Sequence, residues 1–166
     1  MQISMQIKQT IRQNLHQLED ILVQLNDEEY SAPLRILNGQ SIGKHVRHIV
    51  EFYGCLIHAK TNVCYDARER DEKIENSTTY CIQYIHQLLQ AIELLNLNQS
   101  IYLKQLVNDE LIEIGTTIGR EMIYCIDHSI HHFAIIKIAI QHHLPTIIFD
   151  KNFGIAYSTI QYNHHT

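Results

Sequence analysis

Apolar residues recur along this chain at steps of three and four, the spacing that puts side chains on one face of an α-helix. The first run, about residues 5–26, carries Ile7, Ile11, Leu15, Leu18, Leu22 and Leu25 and predicts a long amphipathic helix. A polar connection over residues 26–39 separates it from a second helix at about residues 42–60. Ser41 suits the N-cap of that helix, because its hydroxyl can accept from the free N–H groups of the first turn. Ile42, Val46, Ile49, Tyr53 and Leu56 form its core-facing set, and His45, His48 and Phe52 a neighbouring stripe. Residues 61–76 have mixed charge and no sustained apolar stripe, which predicts a long loop or irregular turn. Ser77 is the expected cap of a third helix, about residues 78–97, with Cys81, Ile82, Ile85, Leu88, Leu89, Ile92 and Leu95 facing inward.

Two short apolar runs, 101–107 and 111–117, flank the turn-prone Asn108-Asp109-Glu110 and predict a small β-hairpin. A fourth helix is expected over about residues 119–142, and Pro145 prevents its simple continuation. The tail beyond it, with Phe149, Phe153, Ile155 and Tyr157, is too apolar for a free end and is expected to pack back on the helices. Together these elements predict an all-α fold, a four-helix bundle with a possible small β-hairpin before the last helix. With no internal repeat, low-complexity tract or linker, residues 1–166 read as a single domain.

Composition narrows the function classes. An apolar fraction of 45% and a charged fraction of 19% over 166 residues suit a globular chain with a real core. A net charge of −5, from 13 basic and 18 acidic residues without a basic run, argues against nucleic acid as a partner. The first nine residues lack the apolar core of a secretory signal, and no stretch approaches 18 uninterrupted apolar residues. A cytoplasmic protein with no membrane partner is the expectation. Cys55, Cys64, Cys81 and Cys125 are irregularly spaced without a Cys-x-x-Cys pair, so they read as reduced residues in or near the core.

Candidate chemistry lies in the histidines, of which there are 12. His128 and His132 stand at i and i+4 of the fourth helix, so their Cβ atoms are roughly 5–6 Å apart on one face and both rings can reach one metal ion. His48, on another helix, is a third imidazole. His16 and His86 occupy ordinary amphipathic helices, His142 and His143 sit where a helix C-terminus favours positive charge, and His164 and His165 fall at a frayed chain end. His58 lies ten residues beyond His48, too far along a helix to share its site. That leaves His45, His48, His128, His131 and His132, for which two readings stand: a three-imidazole metal site, or buried histidines hydrogen-bonded to neighbours. Three nitrogens on Zn, Ni or Fe would leave positions open for water or substrate. His131 is offset from the His128–His132 face and, with His45, is a candidate support for the ligands. Glu121 and Tyr124 precede His128 on the same stripe and could orient a ligand or touch a substrate.

The run Ser41-Ile42-Gly43-Lys44-His45-Val46-Arg47-His48 and the pair His128-x-x-x-His132 resemble the DinB-like superfamily, which includes YfiT-like proteins, bacillithiol transferases and mycothiol-dependent maleylpyruvate isomerases. The resemblance covers nearly the whole chain in helix order. It implies a four-helix bundle with His48, His128 and His132 as metal ligands. Gln40 stands where many relatives have tryptophan, and Phe133-Ala134-Ile135-Ile136-Lys137 where many have a glutamine. What the resemblance implies for activity is a metal-dependent transferase joining a low-molecular-weight thiol to a small electrophile. Metal-dependent hydrolysis and a non-catalytic metal-binding stress-response module are the alternatives. Tyr65, Arg68 and Arg70, in the charged loop, join Glu121 and Tyr124 as candidate substrate contacts, although a solvated loop explains each arginine as simply. Exposed apolar helix surface would fit a homodimer.

Overall fold

A computed structural model describes residues 2–164, and His165 lies outside them. Four long helices carry the core: α1 (Gln2–Leu22), α3 (Ile42–Ile57), α5 (Thr78–Leu94) and α6 (Ile118–His143). Each of α1 and α3 packs against both α5 and α6, so the apolar stripes read from the sequence meet in one interior. Ile11, Leu15, Leu18, Leu22, Ile42, Val46, Ile49, Tyr53 and Leu56 are all buried there.

Helix boundaries follow from the caps. α1 stops at Leu22 rather than near residue 26, because Asn26 is already the N-cap of a short α2 (Asp27–Ser31). Its Oδ1 accepts from Glu29 N at 2.8 Å, and Glu29 Oε2 accepts in turn from Asn26 N at 3.1 Å, a reciprocal capping box. A 3₁₀ turn at Arg35–Leu37 completes a connection that the sequence pattern presented as only polar. Ser41 Oγ accepts from Lys44 N at 3.1 Å and starts α3 as expected. Ser77 does the same for α5, and Thr117 for α6, which begins at the end of a strand.

Residues 61–76 correct the expectation of an irregular loop. They contain β1 (Asn62–Val63) and α4 (Glu72–Asn76), the latter capped by Asp71. A five-residue helix is too short to display a periodicity, yet its Ile74 and Glu75 are buried against α3. The expected hairpin forms from β2 (Ser100–Val107) and β3 (Glu110–Thr117), with Asn108 and Asp109 both at positive φ, as a two-residue turn between twisted strands requires. β1 adds a parallel third strand, with Asn62 opposite Tyr102, so the chain is mostly helical with a small three-stranded sheet rather than purely α. The apolar tail folds back as anticipated: Phe153 is 1% exposed and stacks on Phe133, and Tyr157, at the start of α7 (Tyr157–His164), donates to Asn14 Oδ1 at 2.8 Å. Among the described residues, no helix is long and apolar enough to cross a membrane.

Candidate metal centre

Two packed helices build the site. On α3, His45, His48 and Phe52 follow at steps of three and four, and on α6 Tyr124, His128 and His132 follow at steps of four, so each trio forms a stripe on its helix. The stripes face one another. His48 Nε2 lies 2.8 Å from His128 Nε2, and the His132 ring centroid is 4.7 Å from those of both His48 and His128. One ring nitrogen from each of the three falls within 4.8 Å of the other two. His45 closes on the far side, its Nδ1 3.0 Å from His132 Nδ1. His131 is exposed and meets only the edge of the His132 ring, at 5.4 Å between centroids.

Electrostatics keep these rings neutral. Burial pushes the pKa of His48 and of His132 down to about 3, with Arg68 adding to the effect at His48 and the neighbouring histidines adding to it at His132. Burial lowers His45 and His128 as well, assisted by His131 in each case. Uncharged imidazoles with free lone pairs are what a borderline divalent cation requires. A tetrahedral zinc site would separate its nitrogens by about 3.3 Å, a spacing these rings reach with shifts of a few tenths of an ångström to about 1.5 Å. The three residues therefore fit a divalent ion.

An aromatic plate backs the site. Phe52 stacks on both His128 and Tyr65, 4.6 Å from each, and Tyr124 lies beside all three, 5.6 Å from His128 and Tyr65 and 6.4 Å from Phe52. Tyr65 is buried and donates to Glu121 Oε2 at 2.9 Å, while Thr116 donates to Glu121 Oε1 at 2.8 Å. Both carboxylate oxygens of Glu121 are thus engaged, and it bears on the site through Tyr65 rather than through His128. Arg70 is exposed. Arg68 corrects the solvated-loop reading: its side chain is 12% exposed, and it donates from Nε to Glu51 Oε2 at 3.1 Å, from Nη1 to Tyr65 O at 3.0 Å and from Nη2 to His48 Nδ1 at 2.8 Å.

Glu51, which sequence reading passed over, organises this corner. Its Oε1 accepts from Asp71 N at 2.9 Å and lies 3.7 Å from Arg47 Nε, and Arg47 Nη1 reaches Glu75 Oε2 at 2.6 Å. A signal for it existed: a charged residue inside Ile49-Val50-Glu51-Phe52-Tyr53 must find partners if the helix is buried. Beside the histidines opens a pocket of about 200 Å³ lined by Gln40, Lys44, Arg47 and Arg68 together with His45, His48 and His132. The cysteines are free thiols, and burial raises the pKa of Cys55 and Cys125, the opposite of what a nucleophile needs.

No curated protein and no solved structure matches the chain. The pattern of the DinB family matches residues 1–141, which take in α1, α3, α5, all but the last two residues of α6 and all three histidines of the cluster. By that match the chain belongs to the DinB family.

Proposed function

We propose that this DinB-family chain is a single-domain four-helix bundle and a metal-dependent enzyme. In this reading His48, His128 and His132 hold a divalent ion, Zn, Ni or Fe, and the protein transfers a low-molecular-weight thiol to a small electrophile. The observation that carries the reading is the convergence of three uncharged imidazoles, with no carboxylate or thiol among the described residues completing the group, beside an open pocket that His48 and His132 line. Three ligands leave room for a reactant, whereas four would close the site.

A bound divalent ion would favour the thiolate form of a coordinated thiol. The chain supplies the setting. Phe52 and Tyr65 exclude water from one side of the rings, and Lys44 and Arg47 offer positive charge to an anionic group of either substrate at the pocket. In the transfer the sulfur forms a bond to an electrophilic carbon, the leaving group departs with its electron pair, and the thiol proton passes to solvent. The same reading takes the protein as a cytoplasmic homodimer, for which exposed Leu106 and Leu111, directly opposite one another near the hairpin turn, offer an apolar surface.

The test is turnover of metal-loaded protein against a panel of electrophiles, with and without small thiols. Products that carry the thiol sulfur support transfer. Products that carry oxygen from labelled water, formed without thiol, replace it with hydrolysis. Bound metal without turnover across the panel leaves a metal-binding module.

A further inference from the structure

Arg68 makes three hydrogen bonds at once, and the one to His48 fixes a proton. A guanidinium carries donors only, so His48 Nδ1, 2.8 Å from Arg68 Nη2, must accept. A neutral imidazole has one ring proton, which then sits on Nε2. That nitrogen is 2.8 Å from His128 Nε2, so His48 donates and His128 accepts. The separation is that of a hydrogen bond and shorter than the roughly 3.3 Å between two nitrogens on one tetrahedral zinc. His128, as acceptor, already presents a lone pair. His132 can do so too, by donating from Nδ1 to His45 Nδ1 at 3.0 Å, the kind of support that orients a metal-bound imidazole. His48 cannot: with Arg68 in place, one of its nitrogens is taken and the other is protonated.

We propose that Arg68 gates the metal centre, holding His48 in the Nε2–H tautomer in the metal-free protein, so that metal loading and the Arg68–His48 hydrogen bond exclude one another. The inference rests on His48 being a ligand. For His48 to present Nε2, its proton moves to Nδ1, which then faces a group that cannot accept it, and Nη2 has to turn away. Glu51 and the Tyr65 carbonyl still hold Nε and Nη1, so the guanidinium pivots about its other two bonds. Arg68 lines the pocket beside the histidines, and the donor edge it frees there is available to an anionic group of a reactant. Arg68 is a positioning residue that acts through His48. Its removal therefore makes metal bind more tightly, whereas a merely structural support would weaken binding when lost.

Two measurements test this, neither of them activity. Long-range ¹⁵N–¹H spectra of histidine-labelled, metal-free protein, assigned with a His48→Gln variant, are expected to show His48 protonated on Nε2. An Nδ1–H signal for His48 overturns the proposal, even if no variant folds and even if the chain binds no metal. Zinc affinity, by competition with a chromophoric chelator, is expected to rise on the order of tenfold in Arg68→Met, the effect of one charge-assisted hydrogen bond. Unchanged or weaker binding overturns it, as does a gain that vanishes at about 0.5 M salt, which would mark simple charge repulsion. Failure of wild-type protein to bind any divalent metal sinks the metal-centre reading instead, and leaves the tautomer result to decide the role of Arg68.

Discussion

Single residues sort the histidines by what surrounds them. His48, His128 and His132 lie between two packed helices, where desolvation holds them neutral. His16 and His86 share one carboxylate, Glu19, at 3.2 and 2.7 Å, with about half of each ring side chain in solvent. They tie α1 to α5 through Glu19, and among the described residues they belong to no group of three close ligand atoms. Alanine at His48, His128 or His132 should therefore remove most of the metal from protein purified without a nickel column, and alanine at His16 or His86 should leave it. Elemental mass spectrometry per chain reads the difference, and equal loss from all five variants would refute the assignment. The pairing of His128 with His132 was legible in the sequence because both sit on one helix, where spacing dictates facing. Joining them to His48 took the family resemblance, since no local rule relates residues 80 positions apart. The inward turn of Arg68 is illegible for the same reason: nothing in a charged loop announces that Glu51, 17 residues earlier, will draw its guanidinium inward.

At the scale of elements, the short helices hold the long ones in register, and they are what periodicity could not reveal. Asp27, at the start of α2, accepts from both the N–H and the hydroxyl of Thr78 through Oδ1, at 2.7 and 2.9 Å, and so fastens the beginning of α5. Those hydrogen bonds, the backbone one first, lower its pKa below the ordinary 3.8. The folded state thus binds this proton less readily than the unfolded chain, so the stabilisation is present above the unfolded value and disappears as pH falls through the folded one. Asp27→Ala should cost about 1 kcal/mol at neutral pH, as the loss of a capping side chain does, with the gap to wild type closing below about pH 4. Denaturant melts at both pH values check it, and a gap that persists at pH 2 would show that the charge is not responsible. Gly43 marks a second joint. A Cβ there would fall on the backbone oxygen of Glu75, so α3 and α4 touch only because this residue has no side chain. Gly43→Ala should cost about 1–3 kcal/mol, the usual range for overpacking, and push α4 outward together with Glu75, the partner of Arg47. If stability and metal affinity both stay at wild-type values, the close approach is not a constraint on the site.

Across the whole molecule, the candidate centre lies where two halves of the chain meet. α3 brings one candidate ligand and α6 two, and the tail beyond the family match braces α6 and α1 through Phe153 on Phe133, Lys137 Nζ on the Phe153 carbonyl at 3.1 Å, and Tyr157 on Asn14. An ion held by His48 and the His128–His132 pair would cross-link elements 80 residues apart in the sequence, and would do so only in the folded state. Its effect on stability then follows from mass action: about 2.7 kcal/mol at a free metal concentration 100 times the dissociation constant. For a chain of this length about 1 kcal/mol moves Tm by roughly 2–4 °C, so loading should raise Tm by about 5–10 °C and a chelator should reverse it. His132→Ala should show no shift under the same conditions, because two imidazoles on separate helices hold the ion far more weakly than three. A rise of equal size in that variant would mean that the stabilising metal binds elsewhere, for instance among the exposed histidines near the end of α6. Absence of any rise in wild-type protein would instead mean that the rings keep their hydrogen bonds, His48 Nε2 to His128 and His132 Nδ1 to His45, and serve the fold alone.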